Sequence, residues 1–573
     1  MDESPNLLVL GPGNGSKAEA LKAASNGLRG HLAEELAAES NRFSNEGVAL
    51  LKFHGVYQQE DRDARQDRKA AGVEKAYQMI VRSRIPGGVI TADAYLAHDD
   101  LAGRYANETL RITTRQGFQL HGVLKGDLHA AVAAINATLL STLAACGDVS
   151  RNVMACPAPA ASPVHAQIQD VARAIAAHLS PKSGAYHEIW IDGEPAETNT
   201  PVEVEEPIYG PTYLPRKFKI GIAAPGDNCV DIYTQDIGLA AHAEDGRLAG
   251  FTVLVGGGLG STHGKTETYP RLATPLCFVA ADEVIAVVEA VVTIQRDYGD
   301  RANRRHARMK YLVEERGIEW FRVEAERRLG RALADPRPVR WLGVEDHLGW
   351  GRQADGSLFL GLFVENGRIK DDGASRLRGF LREAVATFQP GVRLTGQQNI
   401  LLTGIPPTQQ PAWEALLADY GVVADPEALG LRRLAMACPA LPTCGQALAE
   451  AERALPAVVR QLQAELAAIG RADARPSIRM TGCPNGCARP YMGDVGFVGR
   501  TRDVYNVYVG GDRENTRLNA LYADSVHVRD LAATVRPLFA LWGAQAAAGE
   551  GFGDFCHRLG VAQLRAQAEA CII

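Results

Sequence analysis

Apolar and polar positions switch along the chain between a period of two and a period near 3.6, so strands and helices are expected to alternate. The stretches 48–59 (VALLKFHGVYQQ) and 108–124 (ETLRITTRQGFQLHGVL) are rich in β-branched and aromatic residues and read as strands. Between them, 91–106 has helical spacing, and 130–145 reads as a second helix. Further on, 164–179 and 281–298 read as helices, and 213–224 and 251–260 as strands. Strand–helix–strand patterning returns over 336–425, and a helix over 446–469 is expected beyond it. The segment 193–206 is acidic, contains proline and has no period, so it reads as a mobile loop. These breaks divide the chain into an N-terminal arm (1–45), an α+β unit (46–143), a second unit (144–335), a return to the first pattern (336–425) and a last unit (426–573).

A duplication organises these units. RITTRQGFQLHGV begins at Arg111 and RLTGQQNILLTGI at Arg393; MACPA begins at Met154 and again at Met436. Both matches share an offset of 282 residues (393−111 and 436−154). The match continues at a shifted offset, where PGDNC followed by Asp236 faces PNGC followed by Asp494. Two copies of one module around a pseudo-two-fold axis are expected. The first copy keeps Cys156 and Cys229 at matching points and is expected to line the opposite side of a shared cleft.

At 573 residues the chain exceeds one core. With 46% hydrophobic and 22% charged residues it has a globular composition, and a net charge of −6 gives no reason to expect nucleic-acid binding. The beginning, MDESPN, has no basic signal-peptide region, and no apolar run is long enough to span a bilayer. Ten cysteines over this length are too sparse for a secreted disulfide scaffold, so a reducing cytoplasm is expected.

The densest chemistry lies in 436–498. Cys438 and Cys444 sit in MACPALPTC, Cys483 and Cys487 in TGCPNGC. Four thiolates on two short loops can close around one cube-shaped cluster. Proline after Cys438 and Cys483, and Asn485-Gly486, turn the chain and free backbone N–H groups to face sulfur. Zinc ribbons usually use closer pairs, and two unrelated pairs of buried thiols are the plainer alternative. Basic residues recur at strand ends: Arg84 in RSRIPGG, Arg111 and Arg115 in RITTRQ, Arg151 in SRNV, and Arg216, Lys217 and Lys219 in PRKFK. Each alone also reads as a solvated charge.

From FHGVYQQEDRD near the start to GEGFGDF near the end, and through both cysteine motifs, the chain closely resembles the sulfite reductase hemoproteins of the siroheme/iron–sulfur sulfite and nitrite reductase family. The resemblance implies an α+β, three-domain fold in which paired ferredoxin-like half-domains (46–143 with 336–425) join a siroheme and substrate domain (144–335) and a cluster domain (426–573). It implies a 4Fe-4S cluster on Cys438, Cys444, Cys483 and Cys487, with Cys487 also on the siroheme iron. It places Arg84 and Arg151 as clamps on the sulfite anion and Lys217 and Lys219 as proton donors. It places Arg111, Thr113, Arg115, Gln119, His121 and Arg216 against siroheme. Arg308 stands where the family often has lysine and is a further siroheme contact. The physics agrees: siroheme carries eight carboxylates, arginine clamps charge, and lysine can shift its pKa and donate.

Two glycine-rich strings lack the spacing of nucleotide-binding loops. GPGNGSK near the start has no adjacent Gly-Lys, as a phosphate loop would. VGGGLG, from Val255, has Ser261 where a dinucleotide fingerprint needs its third glycine, and is expected to let backbone approach a flat macrocycle. Without a nicotinamide or flavin site, electrons must come singly from a partner protein, a diflavin NADPH reductase subunit or a ferredoxin. The activity implied is six-electron reduction of sulfite to sulfide. Nitrite reduction and a non-catalytic metal-binding protein are the rivals.

Overall fold

The computed structural model describes residues 15–159, 162–190, 206–373 and 375–570. The expected loop over 193–205 and most of GPGNGSK lie outside those residues.

The strands in chain order are β1 (Val56–Glu60), β2 (Tyr77–Arg82), β3 (Val89–Ile90), β4 (Leu110–Ile112) and β5 (Phe118–Val123). Then follow β6 (Met154–Ala155), β7 (Ile220–Ala223), β8 (Ile237–Glu244), β9 (Arg247–Val255) and β10 (Thr274–Ala280). The second half has β11 (Gly349–Arg352), β12 (Leu358–Leu362), β13 (Arg368–Ile369), a small hairpin of β14 (Asp371–Asp372) and β15 (Ser375–Arg376), β16 (Gly391–Leu394) and β17 (Ile400–Ile405). It ends with β18 (Ala435–Ala437), β19 (Ile478–Thr481), β20 (Val495–Thr501), β21 (Val504–Val509) and β22 (Ala520–His527).

They form two pairs of matching five-stranded sheets. The order β1-β2-β5-β4-β13 is repeated as β11-β12-β17-β16-β3, and β6-β7-β8-β9-β10 as β18-β19-β20-β21-β22. Each half-domain sheet therefore takes its last strand from the other half. Arg368 pairs with Arg111 where β13 joins β4, and Val89 pairs with Arg393 where β3 joins β16. The register repeats too. Ile220 faces Ile237 and Ile478 faces Val495, a common offset of 258 (478−220 and 495−237). In both second sheets the first three strands run parallel and the last two antiparallel.

Glycine makes the exchange possible. Gly88 and Gly367 precede or border the exchanged strands with φ of 74° and 76°, and a Cβ on them would meet Leu394 O at 2.4 Å and Ile112 O at 2.2 Å. Gln116 and Gln398, again 282 apart, cross the pseudo-axis in turn. The first donates to Leu394 O (2.9 Å) and Ala155 O (2.8 Å), the second to Asn366 O (3.1 Å).

The apolar core runs unbroken from Leu28 to Leu417, so it crosses the expected boundaries at 143/144 and 335/336, whereas Leu431–Ala568 builds a second core. Ser44 caps the helix Asn45–Leu51 by accepting from Gly47 N–H, which corrects the strand expected from 48 onward; only the Val56–Glu60 end is extended. The helix Leu128–Ala137 ends before the expected 145, and Leu455–Ala468 starts after the expected 446. The arm is packed down: Lys22 is buried, donates to Leu214 O (2.7 Å) and pairs with Glu19 (2.6 Å), while Ser16 N–H reaches Arg301 O (3.0 Å). No helix among the described residues is long and apolar enough to cross a membrane.

Candidate active site

One cavity of about 680 Å³ lies between the half-domains, the β7–β8 region and the cysteine loops. Cys438, Cys444, Cys483 and Cys487 all line it. Cys438 follows β18, and its Sγ accepts from Gly482 N–H at 3.4 Å; Cys483 Sγ accepts from Asn485 Nδ2 at 3.4 Å. Leu448 and Ala449 N–H both donate to Gly482 O (2.8 and 3.0 Å), which ties one cysteine loop to the other. Arg62, from the QEDRD stretch, donates to Ala447 O (2.7 Å) and closes the first loop from outside. Burial, then the neighbouring Cys487, pushes the Cys438 thiol well up, and the same causes push Cys483 up to about 11. Thiols held protonated in this way need a cation among them before they ionise.

The opposite walls are basic, and hydrogen bonding divides their cations into two groups. Arg111 is committed to protein, donating to Asn366 O (3.0 Å), Ala437 O (3.1 Å) and Glu452 Oε2 (3.3 Å). Arg115 donates to Asn152 O (2.7 Å), Ile220 O (2.8 Å) and Gln235 Oε1 (2.8 Å), and burial followed by Arg151 lowers it to about 9. Arg308 is paired with buried Asp236 through Nη2 at 2.9 and 3.0 Å. Thr113 Oγ1 accepts from Gly117 N–H at 3.2 Å and so shapes the β4–β5 turn. By contrast, the side chains of Arg216, Lys217 and Lys219 line the cavity with no hydrogen-bond or ion-pair partner among the described residues. Arg151 has only long contacts of 3.4 Å to Gly147 O. Burial, then Arg151 and Arg216, lowers Lys217 to about 7; burial, then Lys217, puts Lys219 well below its ordinary value.

Two expected residues are not on the lining. Arg84 turns away from the cavity: its guanidinium is buried against the helix Pro163–His178 and its C-terminal end, donating to Ala176 O (2.7 Å) and Ser180 Oγ (3.1 Å). The strand ends at Arg82, Arg84 N–H bonds to Ser141 O, and the alternation that would keep 82 and 84 on one face is lost. Arg82 takes the place expected for Arg84. It lines the cavity, lies 5.4 Å from the Tyr57 ring centroid, and meets Gln119, whose amide oxygen turned toward it accepts from Arg82 Nη2 (2.8 Å) and Nε (3.2 Å). His121 is fully buried behind the lining, close to Arg368, Arg111 and Arg82, and neither ring nitrogen has a hydrogen-bond partner among the described residues. Burial and those three cations hold it well below its usual pKa, as a neutral ring.

The VGGGLG string runs from packing on protein to the cavity wall. A Cβ on Gly257 would meet Tyr233 O at 2.3 Å and Gln235 O at 2.4 Å, so this backbone packs on protein, and Leu259 and Gly260 beyond it reach the cavity. Ser261 N–H then donates to Pro484 O (3.0 Å), joining this loop to the second cysteine loop. The first copy lines the side of the cavity opposite the cysteine loops, through Lys217, Lys219, Thr234 and Gln235, while its own Cys156 and Cys229 lie off the lining. Besides Arg82, sequence reasoning missed Tyr57, Cys146 and Lys52 on the lining; the Tyr57 hydroxyl and the Cys146 thiol are in direct contact. Tyr57 and Lys52 fall in the 48–59 stretch read only as a strand, and Cys146 precedes Gly147 in a loop without period.

Two family models match the chain, each twice. The nitrite and sulphite reductase 4Fe-4S domain matches residues 170–333 and 431–571, and the nitrite/sulfite reductase ferredoxin-like half domain matches 73–138 and 351–420. Among curated relatives, the sulfite reductase (ferredoxin) of Synechococcus elongatus is 47% identical and covers 97% of this chain and 91% of its own. The sulfite reductase (NADPH) hemoprotein beta-component of Geobacillus kaustophilus is 46% identical over 95% of this chain and 96% of its own. The solved structure of the Mycobacterium tuberculosis NirA protein has the same fold, with a TM-score of 0.75 at 24% identity, covering 96% of this chain and 97% of that one.

Proposed function

The chain belongs to the nitrite and sulphite reductase family, and from that premise we propose that it reduces sulfite to sulfide in this cavity with a siroheme and a 4Fe-4S cluster. The observation that carries the reading is one cavity with four thiols on one wall and cations lacking protein partners on another. The donor set fits both groups. A macrocycle bearing eight carboxylates needs donors that the protein has not already used, and the Arg216 guanidinium lines the cavity with no hydrogen-bond partner among the described residues. Gln59 and Gln398 line the same cavity, and the Oε1 of each is buried without a hydrogen-bond partner among the described residues. Among the described residues the four cysteines are not a set whose sulfurs crowd within 4.8 Å, as ligands of a single ion would be; a cube-shaped cluster needs wider spacing.

Cys438, Cys444, Cys483 and Cys487 would hold the cluster, with Cys487 shared with the siroheme iron. Arg111, Thr113, Arg115, Gln119, Arg216 and Arg308 would hold or brace the macrocycle, and His121 would stand behind it. When bound, the two groups supply electrons singly and a metal that takes the sulfur of sulfite.

The chain's own work is charge and protons. Arg82 and Arg151 hold the oxyanion through their guanidinium donors. Lys217, poised near neutrality, gains a proton as the anion arrives and passes it to a departing oxygen; Lys219 reloads beside it. Electrons come from a protein partner, a diflavin NADPH reductase subunit or a ferredoxin, and a cytoplasmic setting suits a thiolate-bound cluster.

The test is the absorption spectrum of the protein purified anaerobically from cells that make siroheme, followed by turnover with reduced methyl viologen. A tetrapyrrole spectrum and a kcat/KM for sulfite well above that for nitrite are expected. Preference for nitrite would make it a nitrite reductase, and a colourless protein would leave a non-catalytic metal-binding role.

A further inference from the structure

The first copy of the module holds a second constellation of ligands, well formed and outside the cavity. Cys156 Sγ, Cys229 Sγ, a carboxylate oxygen of Asp227 and an imidazole nitrogen of His347 all lie within 4.8 Å of one another. Cys156 Sγ is 3.3 Å from Asp227 Oδ2, and His347 Nε2 is 3.4 Å from the same oxygen. A tetrahedral ion bonded at about 2.0 Å to nitrogen or oxygen and 2.3 Å to sulfur sets its ligand atoms roughly 3.3–3.8 Å apart. Both thiols are buried, at 1% and 2% exposure.

We propose that Cys156, Cys229, Asp227 and His347 bind one zinc ion, a mononuclear site standing where the first repeat has lost its counterpart of the cluster.

The ligands are held in place by their surroundings. Asp227 Oδ1 accepts from Cys229 N–H (3.0 Å) and Glu345 N–H (3.1 Å), which leaves Oδ2 facing the other three residues. Such outer hydrogen bonds are what orient a ligating carboxylate. Asn228 N–H donates to Gly343 O (3.2 Å) and Leu342 N–H to Gly226 O (2.8 Å), so the β7–β8 loop and the strap that carries His347 are stitched together on both sides of the site. His347 itself has φ of 55°, a costly conformation for a residue with a side chain, and its buried Nε2 has only the 3.4 Å approach to Asp227 Oδ2. Arg393, which donates to Ala158 O (3.0 Å), lies near Cys156 and offsets the excess negative charge of two thiolates and a carboxylate around a dication.

The duplication explains why the site is here. Cys156 matches Cys438 at the offset of 282, and Cys229 matches Cys487 at the offset of 258 that also relates β8 to β20 (487−229 and 495−237). The partners of Cys444 and Cys483 are missing, and Asp227 and His347 supply the third and fourth donors from closer range. Two thiolates, an imidazole and a carboxylate drawn this tightly together suit a single tetrahedral ion, and zinc favours this mixed set in a closed site. The ion would staple β6, the β7–β8 loop and the strap leading into β11, the point where the first half passes into the second.

The test is metal analysis of the holoprotein by mass spectrometry. One zinc per chain is expected in addition to the cofactor iron. Cys156→Ser and His347→Ala should each lose the zinc while keeping iron content and the visible spectrum, with a lowered thermal midpoint. Should a variant fail to fold, wild-type protein answers alone: stripped with chelator and given cobalt(II), it should show thiolate-to-cobalt absorption. Wild-type protein that carries no zinc and gives no such band, or that has Cys156 and Cys229 joined in a disulfide, would overturn the proposal. Variants that retain full zinc would overturn the ligand set.

Discussion

At the scale of single residues, the basic wall divides into cations that brace the protein and cations left for a ligand, and Lys217 tests the division. Its pKa near 7 when folded and 10.5 when unfolded means the unfolded chain holds the extra proton across that window. Stability of the cofactor-free protein should therefore rise as pH climbs from about 7 to about 10.5, with the full cost present below 7. A shift of that size has a ceiling on the order of 4–5 kcal/mol, and incomplete burial of the side chain reduces it to about half. Lys217→Met should accordingly raise the thermal midpoint of cofactor-free protein at pH 7 while lowering sulfite turnover by roughly ten- to ten-thousand-fold with the cofactor spectrum intact. A midpoint that falls, or a lost spectrum, would make the lysine structural.

Arg82 and Arg84 should separate cleanly. Arg82→Met should raise KM for sulfite, with some loss of stability from the buried Gln119 oxygen it leaves without a donor. Arg84→Met should cost about 1–3 kcal/mol, because Ala176 O and Ser180 Oγ lose a buried donor, with little change in KM for the folded enzyme. Steady-state kinetics and thermal melts of the two variants decide it. The four cysteines are legible because two tight turns and two pairs of soft ligands leave a mark in sequence. Arg84 is not: two residues beyond a strand end, alternation no longer says which way a side chain points.

At the scale of elements, the long periodic segments are the readable ones: the helices Ala92–Tyr105, Pro163–His178 and Val284–Tyr298 lie close to where their spacing puts them. The helix Asn45–Leu51 is not, since a short apolar run fits either period and its Ser44 cap outweighs the β-branched flavour of the residues beyond it. Strands β3 and β13 are invisible for a simpler reason, being two residues each and too short for any period. Yet they carry the exchange between halves. Ile90→Pro should damage the sheet of the other half, where Val392 faces Ile90, because proline fixes φ and removes a backbone donor from the exchanged strand. Hydrogen exchange should rise in β16 and β17, while β1 and β2, nearer in sequence, change less. Faster exchange confined to β1 and β2 would contradict the exchange of edges.

At the scale of the whole molecule, the duplication is readable from two offsets, and the paired sheets repeat the same strand order and register. What sequence could not supply was the fate of the first copy's cysteines. Both copies line one cavity, as the matching positions suggest, but Cys156 and Cys229 sit in a cluster of their own, away from the cavity lined by the other four. Symmetry of backbone has been kept while symmetry of chemistry has not.

The traded edge strands also put a clock on biosynthesis. A chain leaving the ribosome completes β4 by Ile112, but the strand that covers its edge is made only at Arg368–Ile369, and β3 must wait for Gly391–Leu394. For the time taken to synthesise some 250 residues, at about 5–20 residues per second, the nascent first half presents an uncovered sheet edge, the kind of surface that seeks another strand. Neither half can finish its sheet before the other exists, so the cavity between them cannot close around a prosthetic group until translation has passed the midpoint of the second half.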